Sequence, residues 1–349
     1  QLLFDYHLGL VRRGLVGELL GWLTGETVSV GEIYLASLVI SLAGAFAFFA
    51  LLSRFLPQDR GGYLLMILAL NTFAFASFIG NSGYLDGLLM ALAALALWSD
   101  ARSSHGLAAR IGLVVAGVFV HENMLPNLAI LIGFDIWLAR RAGKRALVVA
   151  VLPVAAGALA VGFLAMFAEF SPDDAARFAT HLQDKAAFRL DPASSDVAGR
   201  SMVQNFALMG DLRSTTKYWG WVLFDGVPLL AMSLWLIWLG LRVLGDCAGR
   251  MGRLLLSGAV VAPLGLNVIA FDVVRFGAVS VLAGFIVILL VIRHVPEAAP
   301  RLKTVLSWPL FLVLLVLNAN MFTIGVNIAQ GHLGQFPWVL LNQLKWLAP

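Results

Sequence analysis

Ten long apolar runs dominate this chain of 349 residues. A helix needs about 20 mostly apolar residues to cross a bilayer. Runs of roughly that kind fall at 33–56, 62–80, 84–99, 107–121, 124–139, 146–168, 219–241, 254–271, 274–292 and 304–326. The third, fourth and fifth are short, as expected of tilted partners or of broken helices around a cavity. Hydrophobic residues make up 60% of the chain and charged residues 13%. Soluble domains carry about 25% charged residues, so a soluble surface could not be covered here. Disorder requires low hydrophobicity, and a membrane β-barrel would show short alternating segments. The expected fold class is all-α: a polytopic helical membrane protein with a single membrane domain over 1–349.

The few charges have a pattern. Lysine and arginine total 24 against 20 acids, a net charge of +4. Fourteen of the basic residues follow the first, third, fifth, seventh and ninth runs, from Arg54 and Arg60 through Arg102, Arg110 and Arg140 to Arg293 and Lys303. The short loops of the other side hold only Arg275. Basic loops face the cytoplasm. Residues 1–32, the loop 170–218 and the C-terminus are therefore expected outside, facing the periplasm or exterior of a cell membrane. An outward N-terminal segment must be translocated, and the chain opens with Gln1 rather than Met. The expectation is one more helix before residue 1, making eleven; a cleaved signal is the alternative. Cys247 is the sole cysteine, which excludes an internal disulfide and a cysteine-based metal centre.

Two outward segments stand out. Residues 8–23 place apolar residues at helical spacing around Arg12, Arg13 and Glu18, as in a helix lying in the interface with snorkelling arginines. The loop 170–218 opens a helix at Ser171-Pro172 followed by two acids. Its Phe178, Leu182, Phe188 and Leu190 suggest a second helix on the membrane surface. The outward helix ends also gather polar residues: Asp5 and His7, Asn81, Tyr84 and Asp86, His121-Glu122-Asn123 and Asn127, Asp225, Asn267, Asp272 and Arg275. Ionisable groups in or near hydrocarbon cost several kcal/mol and mark functional sites.

Each residue also has a bland reading. Asp5 with His7 could be a surface pair, Arg12 and Arg13 headgroup anchors, and Asp86 a helix cap or turn beside Gly87. Asp272 and Arg275, at i and i+3, could be a neutralised pair on one helix face. On the inward side Asp59, Asp100 and Asp246 sit among arginines, and no comparable cluster is expected there. No Walker A sequence, dinucleotide fingerprint or HExxH occurs, and no basic-aromatic platform for nucleic acid.

An outward site has no nucleotide donor. Group transfer there draws on a donor that has already crossed, usually a lipid-linked phosphate. Such chemistry needs a lipid groove, cations for the leaving phosphate and a base for the acceptor hydroxyl. The arrangement resembles the integral-membrane glycosyltransferases of the GT-C fold, which carry an acid in the first external loop beside interface helices. Here Phe4-Asp5-Tyr6-His7, followed by RRGLVGELL, takes that place. Family members often pair acids in that loop, whereas Asp5 is followed by Tyr6 and His7.

The resemblance implies an inverting sugar transfer from a polyprenyl-phosphate donor to a glycan or lipid acceptor, within reach of membrane lipids. Asp5, Asp86, Glu122 and His121 are the catalytic candidates. Arg12, Arg13, Arg275, Lys185 and Arg213 are candidates for the donor phosphate and lipid. His7, Asn81, Tyr84, Asn123 and Asp272 are candidates for substrate contact. The acids and His121 could also ligate a divalent cation, which no spacing demands. A polysaccharide polymerase or ligase of the O-antigen type, a transporter and a non-catalytic subunit of a membrane complex are the competing readings.

Overall fold

The computed structural model describes residues 2–319 apart from 8–9, 12, 26, 81–83, 141–142, 169–170, 191–201, 247–248, 269 and 271. Arg12, Asn81 and the end of the tenth run thus lie outside the described residues. Among those described, every regular element is a helix.

Helix α1 spans Gly14–Thr24 and α2 spans Val30–Phe55. Ser29 and Glu32 cap each other at the start of α2, with Ser29 N donating to Glu32 Oε2 at 2.7 Å. Pro57 then prevents its continuation. Helices α3 (Arg60–Leu70) and α4 (Phe73–Gly80) form a pair bent by 52°. Thr72 turns the bend, donating to Ala69 O and accepting from Phe75 N. Three short elements follow: α5 (Asp86–Trp98), α6 (Ser104–Val120), and a π-helical turn (Leu125–Ala129) leading into α7 (Ile130–Ala139). Next come α8 (Lys144–Phe167), α9 (Pro172–Lys185), α10 (Met202–Arg213) and α11 (Thr216–Trp221). A second π-helical turn, Val222–Gly226, opens α12 (Val227–Leu244). Helix α13 (Gly249–Val261) tightens into a 3-10 stretch, Ala262–Val268, ahead of α14 (Val273–His294). Helices α15 (Ala298–Val305) and α16 (Trp308–Ala319) form a pair bent by 72°.

Among the described residues, five helices are long and apolar enough to cross a membrane: α2, α8, α12, α13 with its 3-10 stretch, and α14. The count rises to seven if each bent pair is one span. This count does not confirm the expected ten crossings. At 1.5 Å per residue the 13-residue α5 and 17-residue α6 extend only about 20 and 26 Å, against about 30 Å of hydrocarbon. The rim is apolar, with Phe46, Leu159 and Met166 at least 70% exposed, a surface suited to hydrocarbon.

Helix α14 is the axis. It is buried around nearly its whole circumference, against α12, α4, α13, α2 and α7. Gly277 and Gly284, one heptad apart, receive Leu229 and Leu236 of α12. Ser233 and Ser280 share a hydrogen bond of 2.8 Å, and Ser280 lies 2.6 Å from Val260 O of α13. Helices α2 and α5 cross closely at Gly44 and Gly87. A Cβ on Gly87 would lie 2.3 Å from Ile40 O, so only glycine allows that approach.

A small layer stands apart from this bundle. Residues 2–7 fold back over α1, and α9 packs onto them. Phe4, Val11, Val28, Phe178 and Leu182 form its own apolar core. Val28 and Ala186 are bridged, with Val28 N donating to Lys185 O at 2.8 Å. The expectation that Phe178 and Leu182 rest on lipid is thereby corrected: both are 1% exposed and find a protein partner. Helix α1 instead leaves Trp22 and Leu23 open, at 75% and 84%, as an interfacial helix would.

Candidate functional site

Residues distant in sequence meet at the end of the bundle where α14 and α5 begin and α6 ends. Asp86 opens α5 and Arg275 sits in the first turn of α14. Arg275 Nη2 donates to Asp86 Oδ1 at 2.9 Å, and its Nε makes a second, very short bond to Asp86 Oδ2. Both side chains are buried. Asp272 caps the same turn, accepting from Arg275 N at 3.2 Å, with Oδ2 3.8 Å from Nη1. The face of the guanidinium lies 4.3 Å from the ring centre of Tyr84.

The turn after α6 adds a histidine. His121 is 1% exposed, and its Nδ1 accepts from Asn123 N at 3.1 Å. A neutral ring that accepts at Nδ1 carries its proton on Nε2. That Nε2 lies 3.5 Å from Arg275 Nη2, which also donates to Asp86, and Nδ1 lies 3.4 Å from Glu122 Oε2. Beside it Glu122 pairs with Arg13, whose Nε lies 3.1 Å from both carboxylate oxygens. Arg13 is the sole non-glycine residue among those described with a left-handed backbone, at φ 66°. Such a conformation costs about 1–3 kcal/mol and collects at functional positions. It aims the guanidinium from the outer layer onto the bundle.

Two acids here titrate away from ordinary values. Burial raises Asp272, and Asp86 adds to it against the pull of Arg275, so that its pKa is pushed up to about 6. Its side chain keeps 27% of its exposure, enough to exchange a proton. Burial acts on Glu122 in the same sense, but Arg13 overrides it and holds the carboxyl well below its usual range.

A second cluster lies in the outer layer. Asp5 accepts from Lys185 Nζ at 2.6 Å, and His181 Nε2 is 3.0 Å away. His7 stacks on His181 with ring centres 4.4 Å apart. Burial would raise Asp5; the bonds from Lys185 and His181 outweigh it and hold the acid below its ordinary value. Asp5, His7 and Lys185 are thus together, but as one closed ion-pair cluster with His181, a residue sequence reasoning passed over. Arg213 belongs to neither cluster. It donates to Val268 O at 2.8 Å and Asn267 O at 3.3 Å, tying α10 to the 3-10 stretch. Among the described residues no three metal-ligating groups are placed to hold an ion. The acids named for that role face arginine or lysine instead.

A third cluster occupies the other end of α14. Arg110 and Asp135 approach to 2.6 Å with no exposure at all, His294 Nε2 is 2.7 Å from Asp135, and Arg293 is 3.9 Å away. Arg293 also donates to Leu97 O at 2.7 Å. The expectation of no cluster here is overturned. Arg110 is not a loop arginine: it lies inside α6, paired with Asp135 of α7 and bonded to Ser99 at the end of α5. The signal in the sequence was Asp135, an acid inside an apolar run near its inward end.

No family model, curated protein or solved structure matches this chain. Its class therefore rests on its own features: an all-helical bundle with membrane-length helices and a buried polar cluster at each end of its central helix.

Proposed function

We propose that this chain is an integral-membrane glycosyltransferase that takes a sugar from a polyprenyl-phosphate donor at the outward face of a cell membrane. The reading includes the ten or eleven crossings expected above, with α5 to α7 as short crossings. One observation carries it: the buried Arg275 guanidinium and His121 imidazole converge at one end of the bundle, Nη2 and Nε2 3.5 Å apart. A guanidinium beside an imidazole suits an anionic oxygen, and a leaving phosphate develops negative charge there. Asp86 is the positioning residue that holds Arg275 by two bonds.

In the proposed step the acceptor hydroxyl oxygen attacks the anomeric carbon and the carbon–phosphate oxygen bond breaks. The electron pair leaves with the phosphate onto Arg275 and His121. The hydroxyl proton passes to Asp272, the acid of this cluster least neutralised by its neighbours and poised near neutral pH. Asp5, held by Lys185, anchors the outer layer in this scheme, and Arg13 with Glu122 forms the rim.

The test is sugar transfer from a labelled polyprenyl-phosphate sugar in membranes carrying the chain. Asp272→Asn should abolish the wild-type rise in rate through about pH 6, because the carboxylate forms as its proton is lost with rising pH. Arg275→Lys should lose at least about a hundredfold in rate. Transfer at wild-type rate and with an unchanged pH profile in both variants would defeat the proposal. A transporter is the second reading, favoured by the π and 3-10 segments beside the cluster, since broken helices form transporter sites. Uptake of the sugar lipid without covalent transfer would select it.

A further inference from the structure

The helices depart from α geometry at two places beside the cluster: the π-helical turn Leu125–Ala129 and the 3-10 stretch Ala262–Val268. The two segments pack against each other and both against α14. Each carries an asparagine whose amide oxygen is buried without a partner, Asn127 and Asn267. Asn127 is 2% exposed, and no hydrogen bond to its side-chain amide occurs among the described residues. The Asn267 orientation is set by its nitrogen, which donates to Leu264 O at 3.2 Å. Buried acceptors are normally satisfied, and a fold gains nothing from leaving two open. Buried, unpaired amide oxygens at irregular helical turns suit a polar ligand.

The chemistry narrows the ligand. A cation would use amide oxygens alone. Asn127 offers an oxygen and an NH₂ together, and the matching group donates and accepts at one atom: a hydroxyl. We infer that Asn127 and Asn267 form a subsite for sugar hydroxyls, seated between the irregular segments and next to the Arg275–His121 pair. This rests on the glycosyltransferase reading for the identity of the molecule, a sugar joined to a phosphate, but the amide pair is a hydroxyl site in its own right.

The experiment uses the full chain in nanodiscs with four probes: a polyprenyl-phosphate glucose, bare polyprenyl phosphate, octyl glucoside, and sodium against choline. In the wild type the glucosyl lipid should bind more tightly than the bare phosphate. Asn127→Leu, of similar size, should erase most of that difference, about tenfold in apparent Kd. It should also leave the ligand-free melting temperature equal or higher, because an unpaired amide is replaced by an apolar group. Asn267→Leu is the second variant, should the first not fold. Retained sugar discrimination with a lower melting temperature would overturn the inference in favour of a structural water. Stabilisation by sodium that Asn127→Leu removes would overturn it in favour of a cation site. If neither phosphate lipid binds, the glycosyltransferase reading falls alone. Octyl glucoside then decides the subsite: weaker binding to the variants sustains it, and equal binding ends it.

Discussion

At the residue scale, the ion pairs divide by exposure. Arg110 and Asp135 are fully buried with no water to replace a lost partner. Removing one member of such a pair costs about 3–5 kcal/mol, whereas replacing both by apolar groups is often neutral. Asp135→Asn should therefore lower thermal stability in detergent sharply, and Arg110→Met with Asp135→Leu should recover most of it. An Asp135→Asn protein that melts like the wild type would show the pair to be dispensable. This network also marks the limit of reading by spacing. Asp272 and Arg275, three apart, were visible as neighbours. The closer partner of Arg275 is Asp86, 189 positions away, and Arg13 meets Glu122 across 109. No local pattern encodes such pairings; they follow from which helix ends come together.

At the scale of elements, the short third, fourth and fifth runs were legible because length and hydropathy are local properties. The fate of the amphipathic helix α9 was not. Its apolar stripe fits a lipid surface and a protein surface equally, and residues 2–7 decide the matter by offering Phe4. The crossing of α2 and α5 gives a sharper test. Gly87→Val would drive side-chain atoms into the α2 backbone at Ile40. Overpacking of this kind costs about 1–3 kcal/mol, and here it also displaces the adjoining Asp86. The variant should lose thermal stability, while Gly112→Val, in open space, should not. Equal melting of the two would show that the close approach is unimportant. The outer layer responds to pH in a defined sense. Because Asp5 is held below its ordinary value, its contribution is present at neutral pH and is lost as pH falls through the lowered value.

At the scale of the molecule, Arg275 and Arg293 lie at opposite ends of α14, eighteen residues and about 27 Å apart. That is close to the thickness of a hydrocarbon core. Under the proposed orientation, a cysteine at Ser171, beside the outer layer, should react in intact cells with a maleimide that cannot cross membranes. A cysteine at Gln58, in the α2–α3 turn, should react only after the membrane is opened, both in a Cys247→Ser background. The reverse pattern would invert the chain and remove the basis for a lipid-phosphate donor. The central place of α14 was hidden in the sequence, since its run is no more apolar than that of α8, which faces outward. The position of α14 has a bearing on synthesis. It leaves the ribosome after the thirteen α-helices that precede it in the described chain, yet it fills their middle. Until residue 294 is made, Arg110 and Asp135 lack His294, and α2, α4, α7 and α12 lack the helix they pack around. The bundle therefore closes around its axis only when a late helix enters, with α15 and α16 still to follow.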